Sequence, residues 1–532
     1  MKKGGVVFLF SCLLNIAFTQ SKIDVLHYRF EIELNDQNDT VYGKTTITFI
    51  PRDSTNLSAF DLVNRYKKGM VITGGSMIKG HSLIAKISHE KDKLIFYYQK
   101  TLLPGDTIKI TISYKGIPDD GLIISKNKFG DRTFFADNWP NRAHHWIPCI
   151  DDPADKASFE FIVTAPTEYQ VISNGEKVEE KNIDENKKLT HWREDVPLST
   201  KIMVIGVAKF AVKDFSDSPA NIPVTAWVYP KDSVQGFKNY SVAPDIVKFY
   251  SSYVGPYPYN KLANVQSTTI YGGMENASSI FYNELSASST SPVESLLAHE
   301  IAHQWFGDMV SEKKFAHLWL SEGFATYLQH LYTEKKYGAD SMKNEMREDR
   351  EQVIDFSKRS KYPVVDSFSS FRDLLNPNSY QKGSWILHML HNQVGDSVFK
   401  KVIQIFYDRY KGKNADTRDF ETITEEITKK NWKQFFDQWL YVAAIPDLQM
   451  IWSYSAKKKM VNISIKQMQG VAFDLPLEIS FIDRTGNILI KKLNITQPEQ
   501  TFNIPVKAKP FQIKTDPHTS LLFSGEIKES KN

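Results

Sequence analysis

Cysteine is nearly missing from this sequence. The 532 residues include two, Cys12 and Cys149. Cys12 falls in an N-terminal segment read below as a removed leader, so the remaining chain cannot close an intrachain disulfide. Its stability has to come from buried cores, which a chain of this length can build. No histidine pairing is suggested around Cys149, which reads as a packed small residue and not a nucleophile. An excess of one charge is also lacking. Lys and Arg number 66 against 62 Asp and Glu, a formal net charge of +4. Losing Lys2 and Lys3 with the leader leaves +2 (4 − 2). Neither value gives an electrostatic footing for nucleic acid. The lysine run 457–459 reads as a solvated turn. Beyond the N-terminus no apolar run is long enough to span a membrane. There is no internal repeat and no low-complexity tract, which excludes a repeat array.

What is present is an ordinary globular composition, with 41% hydrophobic and 24% charged residues. Residues 1–20 read MKKGGVVFLFSCLLNIAFTQ. Two lysines, a short apolar run and a polar exit are the pattern of a cleavable signal peptide. Cleavage is expected near Ala17–Gln20, and the protein is expected to be secreted or periplasmic. An uncleaved N-terminal anchor is the alternative.

Residues 21–230 carry short alternating runs such as His27–Leu34, Thr45–Ile50, Leu94–Tyr98 and Thr107–Ile112. Turn clusters separate them, which predicts an N-terminal β domain. From about 231 to 445 the periodicity becomes helical, at 241–253, 351–359, 379–394, 397–410 and 418–440. Residues 263–270 read as a strand inside this part. After Pro446 alternation returns in Val461–Ile465, Leu477–Phe481, Ile488–Ile490, Phe502–Ile504 and Leu521–Phe523. Residues 446–532 therefore predict a small C-terminal β-sandwich. The whole reads as a multidomain α+β protein.

One stretch carries the chemistry. His299-Glu300-Ile301-Ala302-His303 puts two imidazoles one turn apart on a helix face. Ser291, Pro292 and Glu294 predict a capping box at the start of that helix, and Gly307 predicts its stop. Glu322 follows His303 by 19 positions, in a second apolar helical segment. Two His and one Glu form a hydrolytic zinc set with an open fourth position. One Zn2+ per chain is expected, with Glu300 beside it as a general base.

The motifs together resemble the aminopeptidase N-like zinc metallopeptidases, the gluzincins that also include leukotriene hydrolase. They stand as Gly272-Gly273-Met274-Glu275-Asn276, His299–His303, Trp319–Ala325 and Tyr380-Gln381-Lys382-Gly383. Pro148–Pro153, with Lys156 and Ala157, is similar to the family's N-terminal signature. The resemblance runs from about residue 25 to 525. It implies a thermolysin-like catalytic domain acting on peptides with a free N-terminus. Tyr380 would stabilise the oxyanion, and Glu275 would bind the α-amine. Gly272, Gly273, Met274 and Asn276 would complete the substrate loop, with Met274 in the side-chain pocket.

Two positions depart from the family. Ser321 stands where Asn is frequent, a change expected to have little effect. The region upstream of Pro148 lacks the usual second amine-binding Glu or Gln, leaving Asp137 or Asn138 for that role. Two rivals stay in view. A thermolysin-like endopeptidase shares the zinc spacing but has no use for Glu275. An inactive binding module would not need His299, Glu300, His303, Glu322 and Tyr380 intact.

Overall fold

The computed structural model describes residues 22–65, 68–79, 83–215 and 222–530. The leader segment lies outside them. The N-terminal part is built of three sheets. The largest has eight strands and includes, in spatial order, Lys187–Leu198, Ala157–Pro166, Ile23–Glu33, Val41–Pro51 and Ile108–Ile117. Period-two patterning dictates which side faces inward: Tyr28, Phe30 and Ile32 are buried on one strand, Phe159, Phe161 and Val163 on the next. Cys149 is buried in the same core. Burial pushes its thiol pKa well up, so it is inert.

A further sheet has five strands in the order Ala211–Asp214, Val224–Val228, Leu262–Ser267, Ser279–Asn283, Gly273–Met274. The first two were expected in the N-terminal unit. Val224, Ala226 and Val228 alternate like the strands before them, and alternation does not say which sheet a strand joins. Val224–Val228 runs parallel to Leu262–Ser267, and the helices Ser233–Tyr240 and Ala243–Tyr253 make the crossover this requires.

Helices then dominate to Leu440. The helix read at 351–359 begins earlier, spanning Ala339–Ser357. The helix read over 418–440 is two, Thr417–Thr428 and Lys433–Leu440. Lys429 adopts φ +56° and ends the first. Trp432 fixes the break, its N–H donating to Glu425 Oε1 at 2.8 Å and its indole to Thr428 Oγ1 at 2.8 Å. The C-terminal part has a four-stranded and a three-stranded sheet. Leu521, Leu522 and Phe523, read as a strand, are buried but unpaired, and the strand begins at Ser524. Among the described residues no helix is long and apolar enough to cross a membrane.

Candidate active site

The helix carrying His299 and His303 spans Glu294–His303 and has no capping box. The Ser291 N–H donates to Ser289 Oγ instead, at 3.1 Å. The Glu294 carboxylate accepts from the Tyr332 hydroxyl at 2.9 Å and pairs with Lys336 and Tyr337. A cation on the neighbouring helix competes better for it than its own helix start does. The helix ends at His303, four residues before Gly307. Leu297, Ile301, Ala302 and Trp305 are buried. Tyr250 donates to Ala298 O at 2.9 Å and the Trp305 indole to Gly255 O at 2.9 Å, pinning the helix in the core.

The two imidazole Nε2 atoms lie 3.1 Å apart, and Glu322 Oε2 is 3.3 Å from each. A tetrahedral zinc with bonds of about 2.0–2.1 Å requires ligand–ligand edges of about 3.3 Å. The triangle fits that ion. Among the described residues this trio is the cluster able to hold a metal. His303 Nδ1 donates to Phe306 O at 3.1 Å, which leaves Nε2 with its lone pair for the ion. Ser321 Oγ lies 3.0 Å from the same Nδ1. Ser321, the position that departs from the family's frequent Asn, thus packs its hydroxyl on the His303 imidazole. Burial alone would lower the His303 pKa, but Glu322 raises it on balance. Burial opposes ionisation of Glu322, yet His303 and His299 hold it well below the usual carboxylate range.

Glu322 arrives on the helix Trp319–Tyr337, which is buried on nearly every face through Thr333. Tyr380 lies in a single π-type turn, Asn378–Lys382, that leads into the helix Gly383–Val394. The two helices touch backbone to backbone at Gly323 and Gly383. A methyl group added at either would sit 2.8–2.9 Å from the other's backbone. This contact explains why both motifs contain glycine, one residue after Glu322 and three after Tyr380. The Tyr380 ring stacks on His299, with centroids 5.9 Å apart and planes at 16°. Burial, then the nearby Glu322, Glu275 and Glu300 carboxylates, push its pKa well up, so the phenol keeps its proton.

Across the cleft, Gly273–Met274 is the sheet's edge strand, antiparallel to Ser279–Asn283. The Glu300 carboxyl packs on Gly273, where any side chain would overlap it. Burial pushes Glu300 up to about 8, with Glu275 and Glu322 adding to the rise and His303 opposing it. Burial also raises Glu275.

The cleft measures about 280 Å³ and unites Gly272, Gly273, Met274, Glu275, His299, Glu300, His303, Glu322 and Tyr380. Trp139, Tyr271, Leu296 and Leu375 complete its wall, and no lysine or arginine is among the lining residues. Asn276 does not line it. It is fully buried, and its Nδ2 donates to Met274 O at 3.4 Å. Asp137 and Asn138 do not line it either. Asp137 pairs with Arg142 and accepts from Thr269 Oγ1 at 3.2 Å. Asn138 donates to Thr200 O and Met203 O at 3.2 and 2.6 Å. Their neighbour Trp139 takes the wall position, which no sequence motif signalled.

The description "Peptidase M1 N-terminal domain" matches residues 25–202, and "Peptidase family M1 domain" matches residues 239–439. Human glutamyl aminopeptidase is 30% identical over 383 residues, 67% of this chain and 40% of that protein. A probable aminopeptidase 2 of Sulfurisphaera tokodaii is 31% identical over 375 residues, 66% of this chain and 47% of that protein. Aminopeptidase 2 of Candida albicans is 25% identical over 450 residues, 79% and 47% of the two chains. The chain thus spans less than half the length of these relatives. With both of the family's domains matched in order over residues 25–202 and 239–439, the chain belongs to peptidase family M1.

Proposed function

We infer that this protein is a zinc-dependent aminopeptidase that hydrolyses the first peptide bond of peptides with a free N-terminus. The observation that carries this reading is Glu275. It shares one cleft with the His299–His303–Glu322 trio and with Glu300. A carboxylate there pairs with the α-ammonium group and places the first peptide bond over the trio. An endopeptidase has no group for it to bind.

The substrate backbone adds to the edge strand Gly273–Met274. A zinc ion held by His299, His303 and Glu322 would polarise the scissile carbonyl, acidify water and draw Glu300 to its ionised form. Glu300 accepts a proton from the attacking water and passes it to the leaving nitrogen as the C–N bond breaks. Tyr380 donates a hydrogen bond to the oxyanion, a contact worth about 3–4 kcal/mol in comparable sites. The apolar wall of Trp139, Tyr271, Leu296 and Leu375 favours neutral N-terminal side chains. Faster release of glutamate than leucine from aminoacyl substrates would contradict that preference.

Metal analysis tests the reading. The wild type should carry one zinc and lose activity to a strong chelator. Glu322→Ala should lose the metal, because two imidazoles alone make a poor site. Full zinc retention in that variant would remove Glu322 as a ligand. The pattern of residues 1–20 supports export, and N-terminal sequencing of the mature protein beginning at Met1 would contradict it.

A further inference from the structure

Gln304 follows the ligand His303 and is fully buried. Its Nε2 donates to Glu275 O at 2.8 Å and to Asp308 Oδ2 at 3.0 Å. Its Oε1 accepts from the Ser278 N–H at 2.7 Å and the Tyr257 hydroxyl at 3.1 Å. These four bonds fill the donor and acceptor capacity of a carboxamide. Two of them go to the turn 275–278, which carries Glu275. Ser278 sits there at φ +61°, a conformation an L side chain holds only when its surroundings enforce it.

The rest of that turn is tied to other parts of the molecule. Asn174 Nδ2 donates to Ala277 O at 2.6 Å, and Lys261 Nζ donates to Ser278 O at 3.0 Å. Among the described residues, the hydrogen bonds joining the C-terminal end of the ligand helix to this turn all come from Gln304, the residue that caps it. One side chain thus spans the two elements whose spacing sets which peptide bond is cut.

We propose that Gln304 is a positioning residue that holds Glu275 in register with the metal ligands and so fixes the enzyme's one-residue step. This rests on the aminopeptidase reading. Gln304 touches neither the substrate nor the ion and acts through the Glu275 backbone. A shift of about 1 Å in such a frame costs on the order of 100-fold in rate.

The test is a double-mutant cycle on the zinc-loaded full chain, with Gln304→Met and Glu275→Ala. Release of the N-terminal residue from a free-amine peptide is the readout, with zinc content and thermal melting alongside. Gln304→Met should keep its zinc and lose about 100-fold in kcat/KM. The same substitution in the Glu275→Ala background should cost little further. Equal losses in both backgrounds, or a wild-type rate in Gln304→Met, would overturn the proposal. Gln304→Glu keeps the two acceptors but not the donation to Glu275 O, and it serves if the Met variant does not fold. It should show the same background-dependent loss. Failure of both variants to fold would assign Gln304 a structural role only and also overturn the proposal. An acetylated peptide cleaved by wild type as fast as the free one would instead remove the aminopeptidase reading, a distinct outcome.

Discussion

Glu300 is the proposed general base. It is buried against Gly273, and burial raises it to about 8. Glu300→Gln keeps the volume and removes the base. It should retain zinc and lose activity by about 100-fold or more. Loss of zinc in that variant would make Glu300 a structural group and not the base. His299 and His303 were legible in the sequence because helical spacing alone puts the two imidazoles on one face, Glu300 because it follows the first of them, and Glu322 because it stands 19 positions on in a second apolar helical segment. Ser321, Gln304 and Trp139 were not. Their partners, His303 Nδ1, Glu275 O and the cleft, come from distant parts of the chain. Asn276 shows the reverse case: it sits inside a recognised motif, yet it is spent on the Met274 carbonyl and not on the cleft.

The two helices that deliver Glu322 and Tyr380 are set by the Gly323–Gly383 contact. Gly383→Ala inserts a methyl between two backbones and should cost about 1–3 kcal/mol of stability. It should also lower kcat, because Tyr380 lies three residues earlier and moves with its helix. Thermal melting and kcat measured together check this, and an unchanged kcat would show that the contact does not set the position of Tyr380. Helix existence was readable from periodicity, but helix ends were not. The predicted capping box lost Glu294 to Lys336 and Tyr337 on the adjacent helix. The helix break at Lys429 carries no Gly or Pro, and the apolar pattern runs on through Trp432 to Phe436. Leu521–Phe523 has a strand's composition, but these residues are buried without pairing.

The N-terminal sheets and the cleft region are joined by two lysines, one buried and one half-buried. Lys201 meets Glu312 at 2.7 Å, with both side chains almost wholly enclosed. Lys156 donates to Asp308 O and Met309 O at 3.1 Å, in the loop that follows the ligand helix. Such ties could not be read from sequence, since they join residues more than 100 positions apart. Within the large sheet, Glu160 bridges three strands. It accepts from His27 at 3.5 Å, Arg29 at 3.0 Å and His191 at 2.6 Å. These bonds, His27 first, lower its pKa from 4.5 to about 2. The unfolded carboxylate therefore takes up protons first as pH falls. The stability Glu160 supplies is complete above about pH 4.5 and drains away toward pH 2. Glu160→Gln should lower the melting temperature at pH 7, and the gap from wild type should narrow below pH 4.5. A gap independent of pH would contradict this. The proposed activity is removal of residues one at a time from a free N-terminus. Zinc-loaded protein given one peptide in free and N-acetylated forms tests it most directly, with products read by mass spectrometry. Stepwise loss of N-terminal residues from the free peptide and almost no cleavage of the acetylated one are expected. Internal cleavage of both forms at equal rates would contradict it.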